Sequence, residues 1–296
     1  MDELTLQHTA IDGLLVIDLV LYTDSRGWFK ENWQREKMTA LGLPSDFVPV
    51  QQNMSFNTNR GATRGIHAEP WDKLVSLASG RVFGAWVDLR AGSQTFGVSV
   101  SFEFGTDKAV FVPRGVANSY QALEDATAYS YLVNEHWSLA AKNSYTFVNL
   151  ADPNLRIPWP IPLCDAEISD ADLAHPLLAE VSPMLPKVTI IIGAGGQLGT
   201  ALQAELPDAV PLTQEKLDLR FPEQIAAFDW SQVGVVINAA AYTAVDSAET
   251  VEGRRNCWDT NVTALARLVQ VCQEHHITLV HVSTDYVFDG SNEMHT

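Results

Sequence analysis

The chain of 296 residues is 46% hydrophobic and carries 36 acidic against 19 basic side chains, a formal net charge of -17. That length accommodates two cores in an ordinary globular composition, and the acidic excess repels phosphate backbones and anionic lipid, which argues against nucleic acid or a membrane as partner. Cys164, Cys257 and Cys272 are odd in number and widely spaced, so neither a disulfide framework nor a structural metal is expected. Asp2 and Glu3 stand where a secretory leader would be basic, and no apolar run is long enough to cross a bilayer. A reducing cytoplasm is the expected compartment.

From Leu14 to about Val148 the sequence breaks into short runs rich in Val, Phe, Tyr and Trp, separated by turn signals at Asp24 to Gly27, Asn57 to Gly61, Ser79-Gly80, Arg90 to Ser93 and Glu124-Asp125. Such spacing predicts an antiparallel sandwich or barrel, with Arg35 to Leu43 as its one helical stretch. The runs Val75 to Leu77 and Val82 to Leu89 read as an alternating pair joined at Ser79-Gly80, and alternation fixes which side chains face inward. Just ahead of them His67 precedes Lys73 by six residues. A base and a cation held on a rigid sheet are suited to proton chemistry next to a carbonyl.

Between Asp152 and Pro186 seven prolines punctuate the chain, which predicts a stiff connector with one short helix near Ala171 to Val181 and a domain boundary near Ser182 to Lys187. Ser169-Asp170-Ala171-Asp172 is a capping-box pattern, in which the Asp172 carboxylate would serve the helix backbone. Val188 to Ile192 then reads as a parallel strand buried on both faces, GAGGQLG as a glycine turn, and Gln197 to Leu206 as a helix. That is the entry to a nucleotide-binding fold, with unpaired amides at the helix N-terminus available to a diphosphate. A GxxGxxG spacing alone is weak, because glycine turns also serve tight strand-to-helix packing.

DSRGWFKENW, VQQNMS, TRGIH, KLVSLASG, VDLRAGSQTFG, FVPRGVANSYQAL, ADPNLRIPWP and ISDADLAHP follow one another in this sequence. In order and spacing they resemble the dTDP-4-dehydrorhamnose 3,5-epimerase family, over roughly residues 10 to 178. The resemblance implies an all-β jelly-roll (cupin-like) barrel, usually a homodimer, acting on dTDP-4-dehydro-6-deoxy-D-glucose, a dTDP-4-keto-6-deoxy sugar, without metal or cofactor. It further implies His67 as base with Asp172 as its partner, Lys73 as the cation near the enolate oxygen and Tyr131 as acid. Arg64, Gln51 and Asn53 match substrate-site positions; Tyr22, Arg26 and Glu31 match those that hold the nucleotide, partly across the dimer. Tyr120 and Tyr129 read as barrel core. Three departures stand out: Asn118 occupies a position usually held by histidine, Trp137 one usually held by tyrosine, and the loop between His67 and Lys73 is shorter.

VGVVINAAAYTAVDSAE, Asn261 and VHVSTDYVFDG join the glycine loop in resembling the N-terminal portion of dTDP-4-dehydrorhamnose reductase, an extended short-chain dehydrogenase using NADPH or NADH. The resemblance puts Gly193, Gly196, Gln197, Leu198, Gly199, Asp218, Ala240, Ala241 and Asn261 at the cofactor, Thr284 at the hydroxyl position of the reductase triad and Tyr286 near substrate. Asp218 also reads as a surface aspartate after a strand. Neither Tyr242 nor Tyr286 has a lysine four residues on, so the Tyr-x-x-x-Lys pair of such reductases is missing and this chain is expected not to reduce substrate. The expected organisation is an epimerase domain over 1–182 and part of a Rossmann-type α/β reductase domain over 187–296. Two other functions fit the same residues: an epimerase acting at one carbon, given Asn118, and an idle nucleotide-sugar-binding module that recruits a reductase, given a merely capping Asp172.

Overall fold

Val, Ile, Phe, Tyr and Trp suit a pleated, half-buried surface, and the runs that concentrate them between Leu14 and Val148 are strands in the computed structural model, which describes residues 3–139 and 141–284. The chain divides into two units, Met1–Leu185 and Pro186–Thr296. In the first, the strands are β1 (Thr5–His8), β2 (Leu15–Asp18), β3 (Tyr22–Asp24), β4 (Gly27–Phe29), β5 (Gln51–Asn57), β6 (Thr63–Ala68), β7 (Lys73–Ser79), β8 (Val82–Asp88), β9 (Ser99–Phe104), β10 (Lys108–Val112), β11 (Val116–Ala122), β12 (Thr127–Val133) and β13 (Thr146–Phe147). They form a six-stranded sheet in the order β1-β2-β10-β7-β12-β5 and a five-stranded sheet in the order β13-β6-β11-β8-β9, with β3-β4 as a separate hairpin. Both large sheets are antiparallel throughout.

Val75, Leu77, Val110, Val112 and Tyr129 of the first sheet pack against Val82, Trp86, Phe104, Val116 and Tyr120 of the second, so the two sheets close over one interior. Each outer face is covered as well. Helix α1 (Arg35–Ala40) sets Met38 beside Leu43 and Phe47 on the back of the six-stranded sheet, against Ile17, Leu74 and Phe111. Val148, Leu150, Leu155 and Met184 cover the back of the five-stranded sheet at Ile66, Val87, Leu89 and Ala117. Full burial of each such side chain is worth roughly 1.5–3 kcal/mol. The VDLRAGSQT stretch owes its form to Asp88, which is fully buried and accepts from the Arg90 backbone and guanidinium, Ser93 Oγ and Thr95 Oγ1. Burial alone would raise its pKa, but these donors outweigh it and hold the carboxyl at about 2.

Three expectations are corrected. The runs joined at Ser79-Gly80 are not partners: β7 lies in the six-stranded sheet and β8 in the five-stranded one. Because both sheets are covered on both faces, β8 is buried along its whole length and shows no polar-out alternation. The helix expected over Ala171 to Val181 is two single turns, α2 (Asp170–Leu173) and a 3-10 turn at Leu178–Glu180, since Pro176 cannot continue a helix. Lastly, the proline-rich segment is less a connector than a strap, packed on the barrel through the cluster just described.

The second unit holds a parallel sheet in the order β15-β14-β16-β17, from β14 (Val188–Ile192), β15 (Val210–Leu212), β16 (Val233–Asn238) and β17 (Thr278–His281). Helix α3 (Gln197–Glu205) follows β14 directly. Gly193 has φ +77°, and a Cβ there would meet the Ala240 backbone nitrogen at 2.5 Å, so the turn and β16 can approach only over glycine. Ala264, Leu268 and Cys272, four residues apart along the later helix Ala264–Glu274, pack on the sheet through Ile190, Ile192 and Val236. The three cysteines are free, and among the described residues no helix is long and apolar enough to cross a membrane.

Candidate active site

A cavity of about 210 Å³ opens between the two sheets, lined by Ser55, Arg64, Gly65, His67, Glu69, Lys73, Asn118, Tyr120, Tyr129 and Tyr131. It is smaller than the ~300–1,000 Å³ that engulfs a drug-sized ligand and fits a single ring. Strand register explains its lining. Lys73 pairs with Val133 and Val75 with Tyr131, while Tyr131 faces Asn53 and Tyr129 faces Ser55. Cross-strand partners share a face, so the alternate residues of β7, β12 and β5 point into the barrel together.

On the opposite sheet, Arg64 and His67 both reach the cavity although they are three residues apart, a spacing that puts side chains on opposite faces of a regular strand. The pairing resolves this: Asn118 faces His67 and Tyr120 faces Arg64, so β6 spends one residue more than β11. Such a bulge re-aims a side chain. Gly65 lies in it at φ +118°, where a Cβ would fall 2.7 Å from Ser119 Cβ and 2.8 Å from the Asn118 carbonyl. The Thr-Arg-Gly-Ile-His run is thus a device for placing a guanidinium and an imidazole on one wall.

His67 Nε2 lies 2.8 Å from Asp172 Oδ1. The Ser169 hydroxyl accepts from the Asp172 backbone N–H and caps α2, while the carboxylate itself is held by His67, the Gly65 N–H and the Ser169 side chain. Cap and dyad coexist because different atoms make them. Burial alone would raise the Asp172 pKa, yet the His67 hydrogen bond and charge, helped by Ser169 and Gly65, hold it below the ordinary value. His175 Nε2 also approaches Oδ1, at 3.3 Å.

Lys73 is buried, and its Nζ lies 3.2 Å from Glu69 Oε1; the other Glu69 oxygen accepts from Trp71 Nε1 at 2.7 Å. Burial, reinforced by the Glu69 charge, pushes the Tyr131 phenol up to about 12. It therefore keeps its proton throughout the neutral range. Tyr120 and Tyr129 are core residues as expected, stacked at 4.0 Å, but both also line the cavity. The Tyr129 hydroxyl donates to Asn118 Oδ1 at 2.9 Å, and burial drives its pKa well above the ordinary value.

Gln51 and Asn53 bond to each other at 2.7 Å and Gln51 accepts from the Trp137 N–H, beside the cavity rather than lining it. Tyr22, Arg26 and Glu31 do not line it. Arg26 is paired with Asp24 and Glu31 with Lys37, both on the surface, and Tyr22 is 58% exposed. Sequence reasoning missed Glu69 and His175. Both had a signal: Glu69 shares strand parity with His67, and His175 follows Asp172 by one helical turn.

In the second unit a cavity of about 770 Å³ is lined by Gly193, Gly196, Asp218, Ala240 and Ala241 among the expected residues, and by Thr213, Gln214, Arg220, Tyr242 and Thr260 among others. Gln197, Leu198 and Gly199 stand behind it: a Cβ on Gly199 would fall 2.3 Å from the Gly193 carbonyl, so that glycine serves helix-to-strand packing. Asn261 makes a two-way amide clamp with the Tyr242 backbone, supporting the Ala240–Tyr242 wall. Asp218 is buried rather than a surface aspartate; the Arg220 guanidinium, overcoming burial, holds its carboxyl at about 2. Thr284 is exposed beyond β17, and Tyr286 lies outside the described residues.

An imidazole-carboxylate pair on one wall, an ammonium and a protonated phenol on the other, and room for one ring define an enzyme of the isomerase class in a cupin-type β fold. A family model for dTDP-4-dehydrorhamnose 3,5-epimerase matches residues 8–180, and one for the RmlD substrate-binding domain matches 187–295. The chain belongs to the dTDP-4-dehydrorhamnose 3,5-epimerase family and carries an RmlD-like domain after it. The RmlC homolog of Streptococcus pyogenes is 51% identical over 181 residues, 60% of this chain and 90% of that protein. The structure of RmlC from Streptococcus suis in complex with dTDP-D-xylose matches with a TM-score of 0.59 at 49% identity, covering 62% of this chain and 96% of that one. A dTDP-4-dehydrorhamnose reductase from Aggregatibacter actinomycetemcomitans is 38% identical over 107 residues, 34% of this chain and 36% of the reductase. The second unit thus spans about a third of that relative.

Proposed function

We propose that the barrel converts dTDP-4-dehydro-6-deoxy-D-glucose to dTDP-4-dehydro-L-rhamnose by inverting C3 and C5. The observation that carries this reading is the division of the cavity: His67 stands on the five-stranded sheet, and Lys73 and Tyr131 stand on the six-stranded one. The 4-keto group acidifies the hydrogens on both neighbouring carbons. The His67 ring nitrogen turned away from Asp172, Nδ1, removes each one, Asp172 stabilises the imidazolium that forms, and the Lys73 ammonium meets the negative charge that gathers on the carbonyl oxygen. Tyr131 returns a proton from the opposite wall, so the carbon is rebuilt inverted. Arg64, Gln51, Asn53 and Asn118 bind the sugar end, and Tyr22, Arg26 and Glu31 hold the nucleotide in a homodimer, where each would serve the partner's site.

The second unit we read as the NADPH- or NADH-binding part of a 4-keto reductase of the Rossmann type. Its glycine turn leaves the α3 N-terminus open toward a cavity of dinucleotide size, which fits such a cofactor. Asp218, Ala240 and Ala241 would hold the cofactor, whose nicotinamide would supply hydride to a 4-keto group where the Tyr-x-x-x-Lys pair is also present. The experiment for the barrel is NMR of the 4-keto sugar nucleotide in heavy water with this protein and EDTA. Deuterium should enter at C3 and C5 with product of the rhamno configuration, and His67→Ala should abolish it. Exchange that stopped in EDTA, or that survived His67→Ala, would overturn the assignment.

A further inference from the structure

Asp172 Oδ1 is approached by two imidazoles, His67 Nε2 at 2.8 Å and His175 Nε2 at 3.3 Å, and the three atoms lie within 4.8 Å of one another. The arrangement is fixed from three sides. His67 comes from the β6 bulge, Asp172 from the capped turn α2, and His175 from the position between that turn's C-cap, Ala174, and Pro176. The His175 ring stacks on Phe147 with centroids 4.6 Å apart and meets the His67 ring edge-on at 5.3 Å. Proton transfer to substrate by the dyad leaves this second imidazole without a task.

We propose that His67, Asp172 and His175 form a capture site for a divalent transition-metal ion such as Zn2+, and that filling it silences the proton chemistry of the barrel. Two imidazole nitrogens and one carboxylate oxygen are a donor set that zinc accepts, with a fourth position left for water; His67 faces the cavity, from which that water would come. A tetrahedron with bonds of 2.0–2.1 Å has edges of about 3.3 Å. The His175-to-carboxylate separation of 3.3 Å already stands at that length, the His67-to-carboxylate one of 2.8 Å has to open by about 0.5 Å, and the imidazole pair lies within 4.8 Å. Binding shifts the tautomer of each ring: Nε2 gives up its hydrogen and turns its lone pair to the ion, while Nδ1 takes up a proton through solvent, so each imidazole stays neutral. The His67 Nδ1 then carries a proton, and no lone pair remains for a C–H bond. Magnesium and calcium, which favour all-oxygen shells, should not compete.

The silencing half rests on the reading of His67 as base; the binding half does not. The full chain, freed of metal by chelation, is titrated with Co2+ and the visible d–d absorption of four-coordinate cobalt is followed, then displaced with Zn2+. One saturable equivalent is expected, weakened at least about tenfold in His175→Ala and in His175→Phe, which keeps a ring against Phe147. Zn2+ should stop deuterium exchange over the same concentration range, and EDTA should restore it. No cobalt band, or a titration that both variants leave unchanged and so belongs to other histidines, overturns the site and leaves the base assignment standing. Specific binding with undiminished exchange overturns the silencing and tells against His67 as the base.

Discussion

Replacing Asp172 by asparagine separates the two jobs that the sequence allowed this residue. Asparagine is nearly isosteric, can still accept from His67 through Oδ1, and leaves the Ser169 cap in place because that cap uses the backbone of residue 172. What it removes is a negative charge beside a ring that becomes an imidazolium in the transition state. With charge centres about 4 Å apart and an effective dielectric near 20, the attraction is ~4 kcal/mol. His67 is 31% exposed, so solvent screens part of it, and ~2–4 kcal/mol is a reasonable range. At 1.36 kcal/mol per decade this is a loss of roughly 30- to 900-fold in kcat, with KM little changed because the charge matters only once the proton has moved. The assay is initial-rate deuterium exchange at C5 under saturation, run beside thermal unfolding. A variant that exchanged at the wild-type rate while its Tm fell would show that the carboxylate is structural and would refute the dyad.

Tyr131→Phe should uncouple exchange from inversion: His67 can still remove and return a proton on its own face, so deuterium should enter with retained configuration while epimer formation falls at least about 100-fold. Epimer formed at the wild-type rate would dismiss Tyr131 as the acid. Asn118→Ala strands the Tyr129 hydroxyl in a dry interior and should cost about 1–3 kcal/mol in urea unfolding, whereas adding Tyr129→Phe should recover most of it; additive losses would mean the 2.9 Å contact carries no coupling. Asp88 has a folded pKa of about 2 against roughly 3.9 in an unfolded chain. Its contribution is complete above about pH 4 and lost as pH falls toward 2, so Asp88→Asn should flatten the acid limb of the stability curve. An acid limb identical in both proteins would move that sensitivity elsewhere.

Much of the barrel was legible because its strands are short, aromatic and bounded by glycine turns, and because His67 and Lys73 sit on either side of one turn. What was not legible depended on long-range packing. Ser79-Gly80 looks like a hairpin turn, yet it carries the chain from one sheet to the other, and only the covering layers decide that β8 has no wet face. The odd spacing of Arg64 and His67 did hint at a bulge, since both belonged in one site and a straight strand could not put them there. Glu69 went unread because Pro70 and Trp71 made its stretch look like loop, although it keeps step with His67. Tyr22, Arg26 and Glu31 cannot be tied to the cavity by sequence, and their surface positions do not tie them to it within one chain. In the second unit the glycine turn was readable residue by residue, but Asn261 belonged to the wall behind the cavity because its amide is committed to the Tyr242 backbone.

The strap across the five-stranded sheet links two properties that most enzymes keep apart. Leu150, Leu155 and Met184 seal the sheet, and between them the same segment delivers Asp172 to His67. A chain that has formed its strands but has not yet laid down residues 148–184 therefore exposes Ile66, Val87 and Leu89 and also lacks the carboxylate behind its base. Closing the back of the sheet and completing the imidazole-carboxylate pair both depend on the docking of this one segment. With His67 as the base, activity recovered during refolding should report the docking of the strap rather than the pairing of the strands.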